Sequence, residues 1–125
     1  MNDLDCTFCG IVSKHLPSRI HYEDDEIVVF DNQLDWVPVM LLLVPRRHMS
    51  QIDLWNDGAM LGRLGAMASK LGHQQALNGF RILSNFGADG LQSQPHGHLH
   101  VIGGAYLGRY VRGVASQASD GRPSG

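Results

Sequence analysis

Three of the chain's seven histidines fall at strict period two: His96, His98 and His100, separated by Gly97 and Leu99. Side chains alternate faces along a strand, and a two-residue step advances about 6.6 Å. The three imidazoles therefore project from one face in a row, with Gly97, Leu99 and Val101 on the other. Two chemistries suit such a row. Imidazole is a common metal ligand, and histidines two apart can share one ion. Neutral imidazole is also a nucleophile and a proton carrier near neutral pH. Burial in the core with internal partners accounts well for one histidine and poorly for three in register.

A second group with chemistry in it is Cys6-x-x-Cys9. Alone, this spacing fits redox activity, metal binding or neither, and no thioredoxin-like strand and helix surround it. Structural zinc takes four ligands in a tetrahedron. The chain offers two further ones in His48, just past Pro45-Arg46-Arg47, and His96 at the head of the histidine row. His15, His21 and His73 lack such company and read as surface residues.

These side chains need elements to carry them. Phe8 to Val12 reads as a short helix or turn beside the cysteines. Residues 19–23 and 26–30 read as two strands turning at Asp24-Asp25. Val39 to Val44 is a continuous apolar run that suits a central strand buried on both faces. Asn56 or Asp57 can cap a helix reaching about Leu77, with Met60, Leu61, Leu64, Met67, Ala68 and Leu71 on one face. Gly58, Gly62, Gly65, Ala66 and Ser69 make a second stripe of small residues there. Interior glycine costs about 1 kcal/mol relative to alanine, and a close two-fold helix pairing in a homodimer is the reason we favour. A strand over 80–84, a loop over 85–95 and a last strand from near His96 to Gly104 complete the order. The pattern predicts an α+β domain over residues 1–114: a mainly antiparallel sheet of about five strands, one long helix and a short N-terminal helix. Residues 115–125, rich in Ser, Gly, Asp and Arg, read as a disordered tail.

Composition narrows the function. With 125 residues, 43% hydrophobic and 18% charged, the chain has the profile of one globular domain. Net charge is −2 with the signs interspersed, so there is no basic run to grip nucleic acid. The acidic start lacks a signal-peptide pattern, and Val37 to Val44 is too short to span a bilayer. A cytoplasmic location and a small ligand, rather than a nucleic acid or a membrane, are expected.

The segment Pro95-His96-Gly97-His98-Leu99-His100-Val101-Ile102 resembles the defining motif of the histidine-triad (HIT) family. Other segments are similar in the same order: Cys6-Thr7-Phe8-Cys9-Gly10-Ile11-Val12, Tyr22-Glu23-Asp24-Asp25-Glu26 with Phe30, and Leu43-Val44-Pro45-Arg46-Arg47-His48. So is the loop carrying Asn85, Gly87, Asp89, Gly90, Gln92 and Ser93. The likeness runs from about Cys6 to Gly104, and is strongest to the nucleoside-phosphoramidate hydrolase branch. It implies a homodimeric α+β fold and a nucleotide hydrolase. His98 would attack the α-phosphorus of a nucleoside monophosphate derivative to form a nucleotidyl-histidine, assisted by His100. Asn85, Gln92 and Ser93 would contact the nucleotide, and Asn32 would stand at the ribose. The resemblance also implies structural zinc held by Cys6, Cys9, His48 and His96.

The chain departs from the family pattern at three points. Met40 stands where the hydrolases carry a fourth histidine, Asn32 where an acidic residue binds the ribose hydroxyls, and Leu91 where the phosphate loop has a glycine. Asp31 could replace the missing carboxylate only from the opposite face of its strand. Trp36 reads as packing beside a buried strand, with base stacking as the alternative. A non-catalytic nucleotide-binding regulator, or a zinc-stabilised interaction module, are the other functions this pattern allows.

Overall fold

The structure, a computed structural model, describes residues 6–109. The expected tail from residue 115 and the outer ends of the expected domain lie outside them. The elements run α1 (Thr7–Val12), β1 (Ile20–Glu23), β2 (Ile27–Asp31), β3 (Val39–Pro45), α2 (Gln51–Asn56), α3 (Gly58–Gln75), β4 (Phe80–Leu83) and β5 (Leu99–Gly103). The strands form one sheet in the order β1-β2-β3-β5-β4, and every pairing is antiparallel. This is the expected α+β architecture, with the apolar run of β3 at its centre.

Alternation along the strands divides the interior into two cores. On one face, Ile27, Val29, Leu41, Leu43, Leu99 and Val101 pack against Leu64, Ala68 and Leu71 of α3. On the other, Val28, Phe30, Leu42 and Val44 pack against Cys6, Phe8 and Ile11. His98 and His100 belong to the face under α1, since Leu99 and Val101 point to α3. The hairpin between β1 and β2 turns at Asp24 as expected, its Oδ1 accepting the N–H groups of Glu26 at 2.8 Å and Ile27 at 3.0 Å. Arg63 of α3 reaches the same carboxylate and Glu26, tying the hairpin to the long helix.

Three expectations are corrected. The last strand begins at Leu99, not near His96. Its pairing with β3 ends at Leu43 opposite Leu99, and the backbone before that finds other partners: Gly97 donates to the Met49 carbonyl at 2.7 Å and His98 to Gln51 Oε1 at 2.8 Å. Gln51 opens α2, a short helix in a stretch to which the sequence reading assigned no element, and Met49 lies just before it. Ser50 caps it by accepting the Asp53 N–H at 3.0 Å, and Asp57 then caps α3 through the Met60 N–H. The helix pair packs onto the site through Gly97, where a Cβ would lie 2.9 Å from the Ser50 carbonyl and 3.0 Å from Leu54 Cβ. The long helix also ends at Gln75 rather than Leu77, because the chain turns at Ala76 to lay Phe80 against Gly72. The small-residue stripe is open in the single chain: a Cβ on Gly58, Gly62 or Gly65 would meet no atom within 4 Å.

Candidate functional site

Cys6 is the N-cap of α1, and its Sγ accepts the Cys9 N–H at 3.3 Å. One helical turn therefore presents both sulfurs on the same side, beneath which His96 is fully buried. Cys9 Sγ lies 3.2 Å from His48 Nδ1 and 3.4 Å from His96 Nδ1, and Cys6 Sγ lies 3.5 Å from His96 Nδ1. All four ligand atoms fall within 4.8 Å of one another. In tetrahedral zinc with ordinary Zn–S and Zn–N bonds, ligand atoms are about 3.3–3.8 Å apart, so the donor set and its spacing fit the ion. The outer partner of His96 fits as well. Its Nε2 is 2.7 Å from the Pro45 carbonyl, so the ring proton belongs on Nε2 and the Nδ1 lone pair faces the sulfurs.

Two residues on, His98 is almost fully buried. Its Nδ1 donates to the His96 carbonyl at 2.7 Å, which leaves the lone pair on Nε2. The Phe8 ring stands edge-on to it at 5.0 Å between centroids. Burial pushes the His98 pKa below the ordinary value, and it pushes His100 down to about 4, with His98 nearby adding to the second shift. Both rings are therefore neutral at pH 7, and a neutral imidazole with a free Nε2 is a competent nucleophile.

The pair opens into a cavity of about 400 Å³. Phe8 and Ile11 of α1 and Phe30 and Leu42 of the sheet give it an apolar wall, and Met40 and Ile102 extend that surface beyond His100. Asn85, Ser93 and Gln94, on the segment between β4 and β5, line the cavity too, as does Asn32, just past the end of β2. The structure thus brings Asn32, Asn85 and Ser93 together around the two histidines. Gln92 is placed differently. Its Oε1 accepts the Gly87 N–H at 2.9 Å and its Nε2 donates to the Gln94 carbonyl at 3.0 Å, so it shapes the loop while Gln94 faces the cavity. Asn32 Oδ1 accepts the Leu34 N–H at 3.0 Å, which turns its amide donor into the group left for a ligand.

Two further readings change. Trp36 is not packed beside β3; it is 78% exposed and lines the mouth of the cavity. His21 is not a free surface residue, for its side chain is only 12% exposed and sits 2.6 Å from Asp31 Oδ1. That pairing holds Asp31 on the face away from the histidines, as alternation requires. Leu91, in place of a glycine, adopts a left-handed φ of 60° and stays 81% exposed at the cavity mouth. Gln51 and Gln94 escaped the sequence reading, because isolated glutamines carry no periodic or spacing signal.

Comparison with known proteins agrees with this geometry. The family described as HIT domain matches residues 13–106. A 14 kDa zinc-binding protein of Brassica juncea is 38% identical over 108 residues, covering 82% of this chain and 96% of the relative. Adenylylsulfatase HINT1 of Arabidopsis thaliana is 36% identical over 111 residues, covering 85% and 76% respectively. Among solved structures, a HIT family hydrolase from Clostridium thermocellum superposes with a TM-score of 0.78 at 28% identity, covering 86% of this chain and 96% of that one.

Proposed function

The chain belongs to the HIT domain family, and from that premise we propose that it is a nucleotide hydrolase with His98 as its nucleophile. Nε2 of His98 attacks the phosphorus of a nucleoside monophosphate derivative, an N–P bond forms, and the bond from phosphorus to the leaving group breaks. Water then attacks the nucleotidyl-histidine, releasing the monophosphate and restoring the neutral ring. One observation carries this reading: His98, neutral and fixed through Nδ1, lines a cavity together with Asn85, Ser93 and Gln94.

The remaining residues divide the work. The Ser93 hydroxyl and the Asn85 amide donate to phosphate oxygens as charge builds on them. His100 steers the phosphate and passes protons. The slot of Phe8, Ile11, Phe30 and Leu42 takes the base, and Asn32 meets the ribose as a donor. A structural zinc ion on Cys6, Cys9, His48 and His96 ties α1 to the segment that bears the nucleophile. It also sets the His96 carbonyl to which His98 donates. Two copies pair through the glycine stripe of α3.

The test uses adenosine 5′-phosphoramidate and adenylyl sulfate as substrates, with release of AMP as the readout. Turnover abolished in His98→Ala supports the reading; turnover that survives the substitution, or wild-type protein without turnover, refutes it. A second reading, a nucleotide-binding regulator, is favoured by Met40 beside the histidine pair, since a thioether cannot carry a proton. Calorimetric binding of AMP without turnover would select it.

A further inference from the structure

We propose that Gln51 is the positioning residue of the nucleophile, locking the His98 backbone and the Asn85 loop together through the two ends of its amide. The proposal rests on the reading of His98 as nucleophile. Gln51 is the first residue of α2 and is 2% exposed. Helix formation does not call for a buried amide there, since Ser50 already supplies the cap. The amide is instead used at both ends. Oε1 accepts the His98 N–H at 2.8 Å and Nε2 donates to the Asn85 carbonyl at 3.0 Å.

The location explains the need. His98 precedes β5, so the sheet ladder does not hold its N–H; the last pair of the ladder is Leu43 with Leu99. A buried N–H without a partner is costly, and Gln51 supplies that partner. The His98 carbonyl is held by another side chain, the Ser84 hydroxyl at 2.6 Å. The nucleophile thus sits just outside the sheet with both backbone groups clamped by side chains from other elements. Ser84 fixes it to the end of β4, while Gln51 fixes it to α2 and to the loop bearing Asn85 and Ser93. The distance from His98 Nε2 to a phosphorus held by that loop is therefore set in part through the Gln51 amide, which bonds to both. Misplacement of reacting groups by about 1 Å costs on the order of 10²-fold in rate.

The two ends of the amide can be separated by substitution. Gln51→Leu removes both bonds with little change of volume. Gln51→Glu keeps an acceptor for His98 and, assayed at a pH where the buried carboxyl is ionised, offers no donor to Asn85. Turnover of adenosine 5′-phosphoramidate, bound metal per chain and melting temperature are measured for both. Gln51→Leu is expected to lose about 10²-fold in kcat with KM changed little and metal retained. Gln51→Glu is expected to recover most of kcat while KM rises, because the loop is released and the nucleophile is not. Equal kcat in wild type and Gln51→Leu overturns the proposal. So does an equal loss in both variants that tracks lost metal and lowered melting temperature, which marks a purely structural residue. Amide hydrogen exchange tests the clamp without turnover. The His98 amide should lose protection in Gln51→Leu and keep it in Gln51→Glu, with Leu99 to Val101 protected in both. Protection unchanged in Gln51→Leu overturns the proposal. Wild-type protein that shows the exchange pattern but no turnover refutes the hydrolase and leaves the clamp standing.

Discussion

His98 and His100 meet edge to face, with ring centroids 4.9 Å apart and planes inclined at 68°. Two imidazolium rings cannot share that contact cheaply, because like charges at this distance repel strongly away from water. Burial already favours the neutral form of each. The pair is therefore a neutral one, and in the proposed reaction it would deliver a lone pair rather than a positive field, leaving phosphate charge to donors on the 85–94 loop.

The pair makes stability depend on pH in a defined window. The His100 pKa falls from 6.5 to about 4, chiefly by burial and secondly by His98. Between those values the unfolded chain binds the proton and the folded chain does not. The contribution of neutral His100 is fully present above pH 6.5 and is lost progressively as pH falls toward 4. Melting temperature should drop more steeply over this window in wild type than in His100→Gln. Loss of metal in acid affects both proteins and cancels in the comparison; parallel curves would remove His100 from the account.

Cys9 Sγ lies within 3.4 Å of both imidazoles of the candidate zinc site, so Cys9→Ser should empty that site. A ligand present at a thousand times its Kd stabilises the folded state by about 4 kcal/mol. In a domain of this size that corresponds to a melting temperature lower by roughly 15 °C. Atomic absorption should show one zinc per chain in wild type and none in the variant. Full zinc occupancy in Cys9→Ser would contradict the ligand set.

Much of this arrangement was legible before the fold was known, and the boundary has physical causes. Alternation alone put His98 and His100 on one face and Asp31 on the other, since period two is rigid along a strand. The turn at Asp24 and the central placement of β3 were readable because side-chain capping and buried apolar runs are local signals. The start of β5 was not readable. His96 has strand-like spacing, but its neighbours bond to Met49 and Gln51, partners more than forty positions away in the chain. Trp36 misled for the opposite reason: proximity to a buried strand says nothing of which way a loop turns. Helix α2 was missed outright, because its six residues are too few for apolar periodicity to register.

The glycine stripe distinguishes a monomer from a close dimer. In a single chain, Gly62→Ala and Gly65→Ala add methyl groups into open space and should each stabilise α3 by roughly 1 kcal/mol. Across a tight two-fold helix pair the same methyl groups push the backbones apart. We expect the double variant to elute as a monomer in light-scattering chromatography at concentrations where wild type is dimeric. A variant that melts higher with an unchanged mass would show that α3 does not pair through this stripe.

Trp36 offers a direct optical readout of the cavity. The indole is largely exposed at its mouth, so a planar base or leaving group entering there must change its environment. In a Trp55→Phe background, AMP should quench Trp36 emission saturably. Trp36→Ala should weaken AMP binding by about 5-fold, the lower end for one base–aromatic contact, because the slot of Phe8, Ile11, Phe30 and Leu42 still holds the base. Saturable binding by calorimetry without a change in emission would place the ligand away from Trp36.

Met40 sits on β3 opposite Ile102, one step along from Leu42, which pairs with His100. Its side chain shares the face of the histidine pair and lines the same cavity. In this position it adds apolar surface next to His100 and nothing that accepts a proton. An imidazole there would lie diagonally across the strands from His100, a separation of about 7–8 Å between backbone positions that ring side chains can bridge. Met40→His therefore supplies a proton carrier at the departing group without disturbing His98, Gln51 or the metal ligands. General acid assistance is worth about 10²- to 10⁴-fold where it operates fully. A gain of tenfold or more in kcat is expected with amine leaving groups, which need a proton to depart. Sulfate, already a stable anion, should gain far less. An equal gain on both substrates, or none on either, would show that departure of the leaving group does not limit this site and that Met40 is not what restrains it.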